Sequence, residues 1–358
     1  MRRLIPVLLI AFTLVTASLV KAEPPDDLVF FSQVTSGRKT IYSCRYDGTD
    51  LRSIVSGKSI RPFLVGKHFL FFSDHQLFEY NVLSRQTKLL TRFSENEIAI
   101  QQLAGGSGGP DQALVLALGD YGRNYYILEF SDGSIRPAQN NYFTGTGSTA
   151  LKGYSPDEKS LTIVRQASVN FRFELILQEK MKEKFKTTWT LPNHMTVIPE
   201  GPVWSPNSRM IAFYAKEFNS PEGFYSLYIF NLDTRELRLI QEQVFSKFAF
   251  GDFRVGPFIP NWSKDSRNII FQYQPYGLPT ESSIIKYEIE AEKKVVLYNN
   301  RGHMLYPSWS PSGRNILFLA NQETNKDQLY VISGNGEKVW RLSPSDGYSE
   351  WAVWYNPE

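Results

Sequence analysis

One short phrase recurs through this chain and limits what it can fold into. Tyr154-Ser155-Pro156-Asp157 returns as Trp204-Ser205-Pro206-Asn207, then as Trp262-Ser263-Lys264-Asp265, then as Trp309-Ser310-Pro311-Ser312. The aromatic positions are 50, 58 and 47 residues apart. Each phrase is a turn, with Asp, Asn or Ser able to hydrogen-bond its own backbone. Each of the last three is followed by Arg and an apolar run: Ile211-Ala212-Phe213, Ile269-Ile270-Phe271 and Ile316-Leu317-Phe318. An alternating strand, a tight turn and a fourth strand complete the unit, as in Leu227-Tyr228-Ile229, Asp233-Thr234-Arg235 and Leu237-Arg238-Leu239. A four-stranded unit repeated about every 45 residues cannot bury its faces alone and must stack on copies of itself.

The same grammar runs upstream in eroded form, through Leu70-Phe71-Phe72 and Leu114-Val115-Leu116. Glu179 to Lys186 reads as a short helical turn or a long hairpin. The two ends complement each other. The N-terminal unit begins at Leu28-Val29-Phe30-Phe31 without a first strand, and Trp351-Ala352-Val353-Trp354-Tyr355 is a strand without a unit. The sequence therefore predicts an all-β chain, a single β-propeller of four-stranded blades. Seven blades is the count, with six as the alternative. The ring is expected to close by the C-terminal strand joining the N-terminal blade, which buries edges that invite aggregation.

Residues 1–22 read as a secretory signal peptide: Arg2 and Arg3, an apolar run from Leu4 to Val20, and a small-residue cleavage site at Val20-Lys21-Ala22. An uncleaved anchor is the alternative for this segment. The remainder, 23–358, reads as one propeller domain with no transmembrane span. Removing the leader takes three of the 39 basic residues, leaving 36 against 36 acidic. With no net charge, a nucleic-acid partner is not expected. Cys44 is the only cysteine, so no internal disulfide can form. Export without disulfides points to a bacterial periplasm.

The Trp-Ser-Pro turns resemble the propeller of the TolB family, carried by Gly201-Pro202-Val203-Trp204-Ser205-Pro206, Pro260-Asn261-Trp262-Ser263 and Tyr306-Pro307-Ser308-Trp309-Ser310-Pro311. The resemblance spans about 150–340. It implies a periplasmic propeller, here with strand grammar where that family carries a separate N-terminal α/β domain. Trp204, Trp262 and Trp309 are expected to pack between blades, and Arg209, Arg267 and Arg314 to brace the turns. Repetition argues against unique chemistry at any of the six.

Catalytic signals fall short. Gly105-Gly106-Ser107-Gly108-Gly109 fits a nucleophile elbow in letters, but strand-like residues follow it where an elbow needs a helix. His68, His75, His194 and His303 show no metal-ligand spacing. No catalytic residue, metal or cofactor is predicted. Binding is expected on the face where each blade's last strand leads to the next blade's first. The residues singled out there are Phe250, Asp252, Phe253 and Arg254, Tyr276, then Arg301, His303, Tyr306 and Glu350. Exposed aromatics around an arginine suit a protein or peptide partner. The reading is an exported adaptor or scaffold, a monomer or part of a larger complex. The alternative is a carbohydrate-binding or carbohydrate-active propeller using its funnel, with Arg301, His303 and Glu350 as polar groups.

Overall fold

The structure is a computed structural model. It describes residues 27–355 apart from 59, 66–67, 74, 83, 94–96, 106–111, 120–121, 138–150, 167–171, 183, 199–201, 219–222, 247–258, 275–280, 322–325 and 345. Among the described residues every regular element is a strand. The first sheet is built from β1 (Leu28–Thr35), β2 (Arg38–Arg45) and β3 (Arg52–Gly57). The second follows as β4 (Arg61–Val65), β5 (His68–Ser73), β6 (Gln76–Asn81) and β7 (Gln86–Arg92). The third is β8 (Glu97–Gly105), β9 (Gln112–Gly119), β10 (Gly122–Glu129) and β11 (Ile135–Pro137). The fourth is β12 (Leu151–Tyr154), β13 (Ser160–Gln166), β14 (Phe173–Met181) and β15 (Lys184–Thr190). The fifth is β16 (Met195–Val197), β17 (Val203–Trp204), β18 (Met210–Glu217), β19 (Phe224–Asn231) and β20 (Leu237–Ser246). The sixth is β21 (Asn261–Trp262), β22 (Asn268–Tyr273), β23 (Glu281–Glu288) and β24 (Lys293–Arg301). The seventh is β25 (Met304–Trp309), β26 (Asn315–Ala320), β27 (Gln328–Ser333) and β28 (Val339–Arg341). The last strand, β29 (Tyr348–Tyr355), returns to pair antiparallel with β1, so the first sheet is ordered β29-β1-β2-β3.

Three details bear on the sequence expectation. Glu179 to Lys186 is a hairpin between β14 and β15, turned at Lys182 with a positive φ. The inner strand of the fifth sheet is split into β16 and β17, both paired to β18. Pro199 and Pro202 lie between the two pieces, and proline has no N–H to donate to a ladder. Of the Gly-rich stretch, 106–109 lie outside the described residues, and the regular elements on either side are β8 and β9, which pair antiparallel.

The core lies between sheets. Phe30, Ile41, Phe69 and Tyr355 fill the junction of the first and second sheets. Leu70, Phe72 and Leu128 fill the next. Leu177 packs with Phe213, Tyr214 with Phe271, Ile270 with Phe318, and Leu319 with Phe31 and Trp354 at the later junctions. Each such aromatic or aliphatic side chain, fully buried, contributes about 1.5–3 kcal/mol.

Hydrogen bonds knit the repeated turns across these junctions. The serine of each turn plays two parts: Ser205 Oγ accepts from Met210 N–H at 2.9 Å and donates to Asn207 Oδ1 at 2.7 Å. Ser155 and Ser263 repeat this with Asp157 and Asp265. The next residue but one reaches the neighbouring sheet. Asp157 N–H donates to Ser208 Oγ, and Asn207 N–H to Ser266 Oγ, both at 3.0 Å. Ser312 N–H donates to Asp27 Oδ1 at 3.1 Å. The indoles form a second ladder: Trp204 Nε1 donates to Gly153 O, Trp262 Nε1 to Val203 O and Trp354 Nε1 to Ser308 O.

Both ladders lapse between the sixth and seventh sheets. Gly313 stands where Ser208 and Ser266 supply hydroxyls, and Trp309 Nε1 is buried without an acceptor. Here Asn261 Oδ1 accepts from Trp309 N–H instead.

Candidate functional site

Strand direction sorts the molecule into two faces. The Trp-Ser-Pro turns share one face with the turns between third and fourth strands: Leu232 N–H donates to Arg209 O, Ile289 N–H to Arg267 O and Gly334 N–H to Arg314 O. Arg209 also pairs its guanidinium with Asp233 at 3.0 Å. Trp204, Trp262 and Trp309 pack at the fourth–fifth, fifth–sixth and sixth–seventh junctions respectively. The connections that enter each inner strand lie on the opposite face, the mouth.

At the mouth, the link from β24 to β25 is held by its neighbours on several sides. Gly302 has φ of 115°, and a Cβ there would run into the Asn321 carbonyl. Ser282 Oγ donates to Gly302 O at 2.7 Å, and His303 N–H donates to Asn321 Oδ1 at 2.8 Å. This fixes the His303 ring, whose Nε2 sits 2.7 Å from Asp327 Oδ1 with both side chains about a third exposed. Asp327 O in turn accepts from Ser349 N–H at 2.7 Å. An imidazole oriented by a carboxylate can hold or pass a proton and can hydrogen-bond a polar ligand.

Glu350, one residue on, ion-pairs with Lys39 Nζ at 2.5 Å. Tyr348 beside it has its hydroxyl pKa raised, first by burial and then by the Glu350 charge. Arg301 is exposed at the end of β24, opposite Glu281 in register. His303 and Glu350 thus have separate partners, Asp327 and Lys39, and Arg301 has neither of these. Three large side chains stand out to solvent toward the mouth: Ile259 just before β21 at 39%, Tyr306 within β25 at 45% and Tyr348 at the start of β29 at 38% exposure. Tyr306 has φ of 56°, an uncommon conformation for a bulky residue, inside a bulge of β25. Phe250, Asp252, Phe253, Arg254 and Tyr276 lie outside the described residues.

Asp327, Asn321 and Lys39 had no signal in the sequence. They sit up to hundreds of residues from the groups they touch, and none belongs to a repeated motif. The other histidines serve elsewhere. His68 stacks on Phe130 at 3.9 Å and bonds Glu79, and His194 is exposed before β16. Among the described residues no group of three or more His, Cys, Asp or Glu could hold a metal ion.

A concavity of about 270 Å³ opens between the fifth and sixth sheets on the turn face. Met210, Ile240 and Tyr287 floor it, and Arg238 crosses its rim to Glu236 and Glu292. Hydrogen bonding to Tyr287 and Glu236 raises the Arg238 pKa further above its already high value.

No protein-family model and no curated protein matches the chain. Solved structures do match it. An oligogalacturonate lyase in complex with manganese aligns at a TM-score of 0.57 and 10% identity, covering 82% of each chain. The β-propeller domain of the Trilobed protease from Pyrococcus furiosus aligns at 0.54 and 11% identity, covering 89% of this chain and 97% of that one. TolB from Acinetobacter baumannii matches at 0.47 and 14% identity, over 91% of this chain and 82% of its own. At these identities the likeness is one of fold, and it rests on the first two. The chain has a β-propeller fold, all strand, of the architecture those proteins share.

Proposed function

We propose that the chain is an exported propeller that binds a protein or peptide partner through its mouth face, as an adaptor or scaffold in the periplasm or cell envelope. In this reading residues 1–22 are a cleaved signal peptide, and 23–358 form one seven-bladed ring closed at the β29–β1 pairing. The observation that carries it is the set of exposed side chains Ile259, just before β21, Tyr306 in β25 and Tyr348 at the start of β29, with Arg301 and the Lys39–Glu350 pair on the same face. Aromatic anchors with charged neighbours make binding hot spots on surfaces of this kind. The leader pattern and the TolB-like turns support the compartment.

The test is affinity capture of the exported form from an envelope extract, run beside the Tyr306→Ala/Tyr348→Ala double variant. A partner retained by the first and weakened about tenfold or more in the second is expected. A partner held equally by both would remove the mouth from the interface. The His303–Asp327 pair favours a second reading, a polar small ligand in the funnel. Saccharide binding lost in His303→Ala is the result expected under it.

A further inference from the structure

Among the described residues, unpaired buried polar atoms gather at the seam between the sixth and seventh sheets. Among the described residues eleven buried polar atoms lack a partner, and four of them face this seam: both amide atoms of Gln272, Asn300 Nδ2 and Trp309 Nε1. Strand alternation fixes the directions. Gln272 is on the same face of β22 as Ile270, and Asn300 on the same face of β24 as Tyr298. Ile270 and Tyr298 both pack against the seventh sheet.

The repeat shows what belongs at this position. Counting from the Ile of each second strand, Gln272 corresponds to Leu319 in the seventh sheet and to Tyr214 in the fifth, whose buried hydroxyl also lacks a partner though its ring packs in the apolar cluster. A leucine fills this layer without cost, whereas a primary amide only 1% exposed with neither head paired is expensive. A departure from the local rule with no compensation inside the protein is expected at functional positions. Gln272 lies one residue from the mouth end of β22, and Asn300 one from the mouth end of β24. The strand packed against β22 across the seam is β25, and its ladder is interrupted at Tyr306-Pro307. The interruption lies toward the mouth end of the seam, where Gln272 and Asn300 also sit.

We propose that the mouth end of this seam is a binding site for a ligand bearing a secondary amide. The free C=O and NH₂ of Gln272 pair reciprocally with the ligand N–H and C=O. Asn300 Nδ2 donates to a second acceptor. Gln272 and Asn300 are two strands and one pleat repeat apart, on the order of 12 Å. A ligand reaching both has the length of an N-acetylated disaccharide or a blocked tripeptide. The site uses atoms a layer below the exposed tyrosines, so it stands or falls separately from the partner-binding reading.

The side-chain amide signals of the exported form, labelled with ¹⁵N, test this in three titrations. The probes are N,N′-diacetylchitobiose, cellobiose as its counterpart without amides, and N-acetyl-trialanine N-methylamide. The Gln272 NH₂ pair, assigned by its loss in Gln272→Leu, is expected to shift with an amide-bearing probe and to stay still with cellobiose. Which of the two amide probes shifts it identifies the source of the amide. Gln272→Leu is expected to stay folded and to raise Tm by about 2–4 °C, since it removes an unpaired buried amide. It should also weaken the effective probe at least ~10-fold, the loss of about one good hydrogen-bonded contact. A Gln272 signal that moves with no probe, or equally with cellobiose, overturns the proposal. So does Gln272→Leu binding the probe as well as the original.

Discussion

Cys44 is almost wholly buried between the first and seventh sheets, and burial, aided by the Asp47 charge, pushes its thiol pKa up to about 12. The thiolate is the reactive form, so the folded protein should resist maleimide at neutral pH and react only on unfolding. The sign of the pH effect follows. The folded thiol keeps its proton above the ordinary value of 9.0, while the unfolded chain loses it. Stability is therefore intact below about pH 9 and falls from there toward pH 12, with a limiting slope of about 1.4 kcal/mol per pH unit. Denaturant midpoints measured at pH 8 and pH 10 check this. Ser205 is the second residue to test. It is fully buried and bonded on both sides, so Ser205→Ala should lower stability by about 1–3 kcal/mol, read as a lower urea midpoint with an unchanged slope. Asp157 and Asp265 are held below the usual carboxylate range, first because the turn serine hydroxyl donates to them. Their contribution is in place above about pH 4 and is lost as pH falls below that.

The turn is the element in which sequence and structure agree best, because a Trp-Ser-Pro-Asp phrase writes its own geometry. The residue directly after the phrase takes a left-handed backbone every time: φ is 59° at Glu158, 63° at Ser208, 61° at Ser266 and 71° at Gly313. Two of these serines also accept the inter-sheet bond. Ser266→Gly should then cost about 1 kcal/mol through loss of the Asn207 contact, although glycine suits the conformation better. Gly313→Ser should be tolerated to within about 0.5 kcal/mol, because a Cβ there meets nothing within 4 Å and the hydroxyl restores the missing rung near Asp265. Thermal unfolding of the two variants separates them. The mouth was less legible. Arg301, His303, Tyr306 and Glu350 could be placed on one face by strand counting, but Asp327, Lys39 and Asn321 meet them only through packing of distant strands. Gln272 was hidden for another reason. It sits inside a strand that reads as apolar, and only alignment of the repeats, with the unpaired amide in view, sets it apart.

At the scale of the whole molecule, the pairing of β29 with β1 brings the two ends together, and Trp354 and Tyr355 enter the clusters on either side of the first sheet. Ending the chain before Tyr348 should strip these contacts and leave β1 as a free edge. The expected outcome is loss of a single cooperative unfolding transition, together with aggregation, seen by calorimetry and light scattering. A truncated chain that melts as sharply as the full one would mean the strand adds nothing to cooperativity. The central claim concerns which face meets a partner. The most direct measurement is site-specific photo-crosslinking in the envelope, with a benzophenone side chain at Tyr306 and at Tyr348 on the mouth, and at Lys264 and Arg267 on the turn face. Adducts to one defined protein from the two mouth positions, and none from the turn positions, are predicted. Adducts from the turn face, with the mouth positions blank, would contradict the account.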